Sequence, residues 1–247
     1  MTSSLEDAAL VLQRTPLGEH EAIVALLTRD NGSIRAVTSV APSKTQSRVL
    51  EPFHRLIVEL TPRRGDLWRL RSSRIELARD AGRWGLDRLE RAGTLCRWTR
   101  ALTPPQTPET DLFDALDGAM ERFDHSTSLA IDRRIGARFV WAMLSLLGYP
   151  PEVSRCTRCG EARPTGKSGV LRADRDGLLC ARCRRDDRST RGAATIDGAS
   201  LDAIAEHGAV AIADATIDDE TIAKLDEWLE AVVRLRLEHV GSKQATR

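Results

Sequence analysis

The stretch EAIVALLT-RDNG-SIRAVTSV, residues 21–40, places an Asn-Gly pair between two apolar runs. Both residues of this pair tolerate the positive φ angles that tight turns between antiparallel strands require. The stretch therefore predicts a β-hairpin with strands at 21–28 and 33–40.

Segments on either side of this hairpin predict a small barrel. Three further runs are apolar or alternate in polarity and are predicted as strands: 8–13, 53–60 and 67–75. In the last of these, Trp68 and Leu70 share one face, so Trp68 is predicted to lie in the core. Five short strands with tight turns predict a closed barrel over residues 1–80, because closure leaves no exposed strand edge.

The rest of the chain changes to a helical pattern. Apolar residues recur at helical spacing in five segments: 83–102, 108–123, 129–147, 200–207 and 219–240. We therefore predict an α+β multidomain chain with a helical domain in two parts, 81–150 and 193–240. An irregular insert at 151–192 separates these parts, and residues 241–247 are predicted to be a disordered tail.

Two CxxC pairs lie in this insert. Cys156 and Cys159 form the first pair, Cys180 and Cys183 the second, and twenty residues lie between the pairs. This spacing is typical of a tetrahedral four-cysteine zinc site, so we predict one structural Zn²⁺. The alternatives to a zinc site are a redox-active cysteine pair and a chance occurrence of the CxxC spacing. The remaining cysteine, Cys96, falls in a predicted helix and is expected to be a buried thiol.

Charge is distributed unevenly along the 247 residues, although the net charge is only +1. Residues 33–79 carry ten basic and four acidic residues, and residues 151–192 carry eleven and six. Residues 197–240 carry three basic and eleven acidic residues. Basic segments on a small barrel are typical of nucleic-acid binding. The alternative is a solvated arginine-rich surface.

Few aromatic residues accompany the basic residues of the predicted barrel. Residues 1–80 contain only Phe53 and Trp68, whereas barrels that hold single strands commonly stack bases on aromatic side chains. We therefore expect salt-sensitive phosphate contacts that do not depend on base sequence. Base edges would stay free to pair, which predicts that the protein anneals complementary strands. The contacts expected for this activity are Arg63, Arg64, Arg69 and Arg71.

Motifs for catalysis are absent from the sequence. HExxH, GxSxG and GxGxxG do not occur, and the histidines are scattered. The loop GEARPTGKS (160–168) differs from a phosphate-binding loop by one extra residue between its glycines. We therefore predict a binding protein rather than an enzyme, with an unrecognised metal-dependent enzyme as an alternative. Helically spaced carboxylates are expected to form a solvated face: Asp111, Asp114, Asp117, Glu121 and Asp124.

Several short stretches, in this order along the chain, carry a resemblance to a known family: GE (18–19), LLTR (26–29), GSIRAV (32–37), SR (47–48), EPF (51–53), RRGDL (63–67), LGYP (147–150) and CTRCG (156–160). They resemble the family of the bacterial recombination mediator RecO. The resemblance implies an OB-fold barrel, a helical domain and a Cys₄ zinc site. It also implies binding of single- and double-stranded DNA without catalysis.

The resemblance further implies partners and site residues. The partners are RecR, the tail of single-stranded-DNA-binding protein and, through them, RecA, which places the protein in the cytoplasm at the nucleoid. The implied metal ligands are Cys156, Cys159, Cys180 and Cys183. The implied DNA contacts are Arg35, Lys44, Arg48, Arg63, Arg64, Arg69, Arg71 and Arg74. Only two basic residues remain in the loop 40–48, fewer than the family pattern has, so the 63–74 hairpin is expected to contribute more.

A site for an acidic, apolar peptide tail would need an apolar groove with a basic rim. The helix at 131–147 is a candidate, with Arg133, Arg134 and Arg138 on the rim. The alternative is that its apolar stripe is core and its arginines are surface. For the whole protein, the alternative function is a zinc-ribbon and OB-fold protein that binds RNA or ribosomes.

Overall fold

Five N-terminal strands close into a barrel in the computed structural model of the chain. The structure describes residues 4–39, 49–63, 65–185 and 193–244, with side chains as far as residue 239. The barrel strands are β1 (Leu5–Leu17), β2 (Glu21–Thr28), β3 (Gly32–Ser39), β4 (Arg55–Pro62) and β5 (Leu67–Leu77). Their order around the barrel is β1-β2-β3-β5-β4, and β4 pairs back onto β1. Only β3 and β5 are parallel among these pairs.

Alternate residues of the strands point into the barrel, as the polarity pattern predicts. Trp68 packs against this interior while partly exposed, which confirms its predicted place in the core. The buried side chains of this core are Ala9, Val11, Val24, Leu26, Ile34, Ala36, Leu50, Leu56, Val58, Leu60 and Leu70.

The β2–β3 hairpin is confirmed, with register running from Glu21 opposite Ser39 to Thr28 opposite Gly32. Gly32 has φ +69°, which a residue with a side chain adopts only at a cost. A Cβ at this position would also meet the backbone of Thr107, so the turn tolerates only glycine.

Three strand irregularities curve the sheet so that it can close. One extra residue interrupts the pairing of β1 with β2 at Leu12, and two interrupt the pairing of β5 with β4, at Arg71 and Glu76. Bulges of this kind bend a strand and increase its twist. The alternation pattern does not reveal them, and β1 is also longer than the predicted strand at 8–13.

Two helices pack with the barrel in one compact unit, residues 1–126. After a short 3₁₀ turn (Ala81–Arg83), these are α1 (Leu86–Leu102) and α2 (Thr110–His125). The unit therefore extends well past the predicted boundary at residue 80. Helical periodicity identifies the apolar face of each helix, but it does not identify the surface that buries this face.

Asp117 corrects the expectation of a solvated carboxylate face on α2. It is only 7% exposed, and its carboxylate accepts hydrogen bonds from Arg55 (2.6 Å) and Arg79 (2.5 Å). Buried carboxylates need such partners. The two arginines were counted among the basic residues of the barrel, but they serve its internal structure.

The second compact unit, residues 127–247, contains the remaining helices and the cysteine insert. Its helices are α3 (Leu129–Leu146), α4 (Ala181–Arg185), α5 (Gly198–His207), α6 (Ala209–Ala213) and α7 (Asp219–Gln244). The sequence predicts an end at Val240 for the last helix and disorder from residue 241. The structure instead continues the helix to Gln244, since extending an existing helix costs little. Residues 245–247 lie outside the described part.

The insert is more regular than predicted. It contains β6 (Gly169–Arg172) and β7 (Gly177–Leu179), which form a three-stranded sheet with β8 (Ala193–Ile196) in the order β7-β6-β8. Because β8 follows the predicted boundary at 192, the sheet joins the insert to the helical part. Strands of three or four residues are too short for their alternation to be recognised in the sequence. Within the described residues, none of the helices combines the length and apolar character needed to cross a membrane.

Candidate metal centre and nucleic-acid interface

The four cysteines of the two CxxC pairs meet at one point of the second unit. The Sγ atoms of Cys156, Cys159, Cys180 and Cys183 all lie within 4.8 Å of one another, and those of Cys159 and Cys180 are 3.7 Å apart. Tetrahedral zinc with bonds of about 2.3 Å to sulfur separates its ligands by about 3.8 Å. The cluster is therefore close to the size that a tetrahedral zinc ion needs.

Tight backbone turns position the sulfur atoms. In the first pair, the N–H of Gly160 donates to the carbonyl of Cys156 (2.8 Å), and Gly160 has φ +74°. The N–H of Cys156 donates to Glu161 (2.8 Å). In the second pair, the N–H of Cys183 points at the sulfur of Cys180 (3.5 Å). Such turns bring both thiols of each pair to one side of the chain.

Electrostatics also favours a cation among these thiols. Burial raises the pKa of Cys156, but backbone N–H groups outweigh burial and lower this pKa to about 6. Burial and the neighbouring thiols raise the pKa of Cys183 to about 12. Four thiolates this close repel one another, and a divalent cation removes that repulsion. The four residues could therefore hold a metal ion, as their spacing predicts.

Cys96 is separate from this cluster and is buried in α1. Burial raises the pKa of its thiol to about 12. A thiol of this kind behaves as a small apolar side chain. The prediction that Cys96 is a buried thiol is confirmed.

Arginines of β3 and β5 share the outer face of the barrel. Arg35 pairs with Leu67, and Arg69 pairs with Val37, so the two arginines lie two positions apart along adjacent strands. Arg74 is exposed and faces outward beside Ile57. We call the group Arg35, Arg69, Arg71 and Arg74 the basic face.

Members of the basic face differ in their partners. Arg69 lies 3.9 Å from Glu21, and Arg71 donates to the hydroxyl of Thr61 (3.1 Å). Neither Arg35 nor Arg74 has a hydrogen bond or ion pair to any residue that the structure describes. These two side chains are thus available for a ligand.

Of the other predicted DNA contacts, the structure describes only Arg63. Arg63 is exposed directly after β4. Lys44, Arg48 and Arg64 fall outside the described residues, so their place relative to the basic face stays a prediction.

Comparison with known proteins identifies the family. The N-terminal model of recombination protein O matches residues 1–77, and the C-terminal model matches residues 85–244. The chain belongs to the RecO family. Its OB-type barrel, helical region and four-cysteine cluster agree with the fold that the resemblance implies.

Several curated RecO family members, each named DNA repair protein RecO, are similar to this chain. The protein of Pelobacter propionicus is 30% identical and is matched over 71% of this chain and 70% of its own length. That of Geobacter metallireducens is 32% identical over 74% and 73%. That of Anaeromyxobacter dehalogenans strain 2CP-C is 28% identical over 96% and 92%.

In this RecO family chain, the candidate rim of α3 is divided. Arg133 is exposed, and Arg138 is partly buried. Arg134 instead donates to the carbonyls of Asp214 (2.6 Å) and Ile217 (2.7 Å) and to the carboxylate of Asp219 (2.9 Å). It therefore ties α3 to the segment before α7, and its donors are not available to a partner.

The apolar stripe of α3 is mostly core. Ile135, Phe139 and Met143 are buried, whereas Ile131 is 41% exposed. Of the two interpretations of this helix, the core interpretation accounts for most of its apolar residues. Its apolar surface lies at its two ends, at Leu129 and Ile131 in the first turn and at Leu146 in the last.

Sequence reasoning did not single out one basic group of the second unit. Lys167, Arg182, Arg184 and Arg185 line a cleft of about 510 Å³ beside the cysteine cluster. Their segment was recognised as basic, but only the sheet β7-β6-β8 brings the two stretches together.

Proposed function

We propose that this RecO family protein is a non-catalytic DNA-binding mediator of recombinational DNA repair. It binds single- and double-stranded DNA through phosphate contacts and anneals complementary strands. With RecR, it helps to load RecA onto DNA coated with single-stranded-DNA-binding protein. Its place of action is then the nucleoid in the cytoplasm.

The basic face is the observation that carries this proposal. Arg35 extends outward from β3 and Arg74 from the adjacent strand β5, and Arg71 lies between Arg69 and Arg74 along β5. Guanidinium groups form bidentate hydrogen bonds with phosphates. Contacts of this kind bind the DNA backbone whatever the base sequence. Trp68 packs on the interior, so it does not offer a stacking platform on this face.

Partner contacts follow from the same proposal. The tail of single-stranded-DNA-binding protein is expected at the first turns of α3, where the side chains of Ile131 and Arg133 are both exposed. Arg138 is a further candidate, whereas Arg134 is a structural residue. RecR and RecA are proposed on family membership alone.

We also propose that the metal is a single structural Zn²⁺ held by the four cysteines. All four ligand positions are thiols, which leaves no open coordination site for substrate. The ion would join the two CxxC turns and so stabilise the β6–β7 region that separates them in the sequence.

A paired substitution tests DNA binding by the barrel. Arg35→Gln combined with Arg74→Gln should weaken binding of single-stranded DNA and slow annealing. The steepness of the plot of log affinity against log salt concentration should fall by about 1.4, since each phosphate contact contributes about 0.7. The control, Arg83→Gln with Arg122→Gln, removes the same charge from exposed positions of the same unit that lie outside the barrel strands.

Equal binding and annealing by the two double variants would contradict the proposal for this face. Competition between DNA and RNA of matched sequence separates the repair function from RNA binding, because both use phosphate contacts. Preference for RNA would favour the alternative function.

A further inference from the structure

The cleft beside the cysteine cluster has a floor formed by the sheet of the second unit. Val170 of β6 pairs with Leu179 of β7 on one side and with Thr195 of β8 on the other. Directly paired residues point to the same face of a sheet, and all three line the cleft. The floor is therefore a row of small and medium-sized side chains across three strands.

Basic residues lie on the two walls of the cleft, on either side of this floor. Lys167 lies on one wall, and Arg182, Arg184 and Arg185 lie on the other, on α4. All four side chains are exposed. Glu161 is the only carboxylate in the described lining, and it lies 3.9 Å from Arg182. The cleft thus has a clear excess of positive charge.

The wall that carries Lys167 is held in place by hydrogen bonds to one buried arginine and one carboxylate. Arg163, whose side chain is 6% exposed, donates to the carbonyl of Lys167 (2.8 Å) and to Asp202 (2.5 Å). Asp202 also accepts from the N–H of Gly166 (2.7 Å). This is the GEARPTGKS loop that resembles a phosphate-binding loop in sequence. Because the loop is ordered in advance, less conformational entropy is lost when a ligand binds.

The opposite wall depends on the cysteine turns. α4 begins directly after Cys180, and the N–H of Arg184 donates to the carbonyl of Cys180 (3.0 Å). Cys183 is buried within the same helix. A metal ion at the four cysteines would therefore fix the arginines of α4 relative to the sheet.

We propose that this cleft is a second nucleic-acid site, which binds the phosphodiester backbone of another DNA strand. The inference rests on the proposed function. Annealing brings two strands together, and the strands are held either by one protein molecule with two sites or by two protein molecules with one site each. The basic face belongs to the first compact unit and the cleft to the second, so one chain offers two separate phosphate-binding surfaces. Cations on both sides of a shallow floor suit a strand that lies along the sheet.

The test uses the full chain loaded with zinc and two differently labelled, non-complementary oligothymidylate and oligocytidylate strands. The cleft variant combines Lys167→Gln, Arg184→Gln and Arg185→Gln. A matched control combines Arg175→Gln, Lys224→Gln and Arg234→Gln, which remove the same charge from exposed positions of the same unit outside the cleft. Zinc content and urea unfolding establish that all three proteins are folded.

Wild type and control are expected to form a ternary complex with both strands, detected by energy transfer between the labels. The cleft variant should bind the first strand within about twofold of wild type and lose at least about tenfold in affinity for the second, with a salt slope lower by about 2 for three lost contacts. Its annealing should slow, while the Arg35 and Arg74 variant should lose the first strand instead.

Undiminished binding of the second strand by the cleft variant would overturn the second site and leave the proposed function intact. Failure of the wild type to bind any strand would overturn the proposed function itself. Inorganic phosphate and an acidic peptide of matched charge are added as competitors. The peptide is compared with unlabelled oligothymidylate that carries the same total charge. If the peptide displaces the second strand more effectively, the ligand of the cleft is an acidic protein segment, and the inference is overturned.

Discussion

Arg79 and Asp117 form a buried ion pair, in which Nη2 of the arginine lies 2.5 Å from Oδ1 of the carboxylate. The Arg79 side chain is fully enclosed, and it also donates to the backbone carbonyls of Phe53 (2.6 Å) and Asp117 (3.1 Å). One guanidinium thus joins the chain before β4 and the segment after β5 to helix α2. These contacts explain why α2 belongs to the same compact unit as the barrel.

Replacing Asp117 by Asn should destabilise this unit by about 3 kcal/mol, because it leaves the buried charge of Arg79 uncompensated. Asp114→Asn is the control on the same helix. Asp114 pairs with Arg29 at 3.1 Å, and both side chains are about half exposed, so its loss should cost less than about 1 kcal/mol. Urea unfolding at neutral pH measures both, and similar effects would contradict the structural role of Asp117.

Replacing Cys159 by Ser should abolish binding of about one zinc ion per chain and lower the stability of the second unit, because the metal joins the two CxxC turns. Cys96→Ala should keep the full metal content, since Cys96 is buried in α1 and is not a member of the four-cysteine cluster. Metal analysis and thermal unfolding before and after chelation test both variants. A folded wild-type protein that contains no metal and is unaffected by chelator would refute the structural zinc site.

Two glycines with the same backbone conformation should differ in their tolerance of a side chain. Gly32 has φ +69° and Gly18 has φ +67°. A Cβ at Gly18 meets no atom within 4 Å, whereas one at Gly32 meets the backbone of Thr107. Gly18→Ala should cost about 1 kcal/mol from the left-handed conformation alone, and Gly32→Ala should cost clearly more. Equal losses in urea unfolding would show that the contact with Thr107 is not limiting.

Asp202 should make the second unit sensitive to acid. The hydrogen bond from Arg163, together with the N–H of Gly166, lowers the pKa of this carboxyl below its ordinary value. A lowered pKa stabilises the folded state above the unfolded pKa of about 3.9, and this stability is lost as the pH falls through the folded pKa. The advantage of wild type over Asp202→Asn should therefore be constant near neutral pH.

Below about pH 4 the same advantage should shrink, because protonation removes the charge from wild-type Asp202 as well. Comparing the two proteins in urea at each pH cancels the protonation of the cysteine ligands, which both share. An advantage that grows as the pH falls would contradict the assigned role of Asp202.

Local pattern alone determines much of this protein. The Asn-Gly turn, the alternation around Leu56 and Val58, and the spacing of the CxxC pairs each arise from residues close together in the sequence. Their geometry follows from backbone conformation and from the tetrahedral preference of zinc, so the barrel strands and the cysteine cluster agree with the sequence-based expectation.

Tertiary structure decides which residues serve which purpose. Asp117 and Arg134 look like surface charges in the sequence, yet both are used within the fold because segments distant in the chain supply their partners. Arg35 and Arg69 become neighbours only because β3 and β5, which are distant in the sequence, pair in parallel as adjacent strands of the barrel. The spacing of apolar residues in the sequence predicts which face of a helix or strand is buried, but not which other element covers that face. Pairings of this kind therefore depend on long-range contacts.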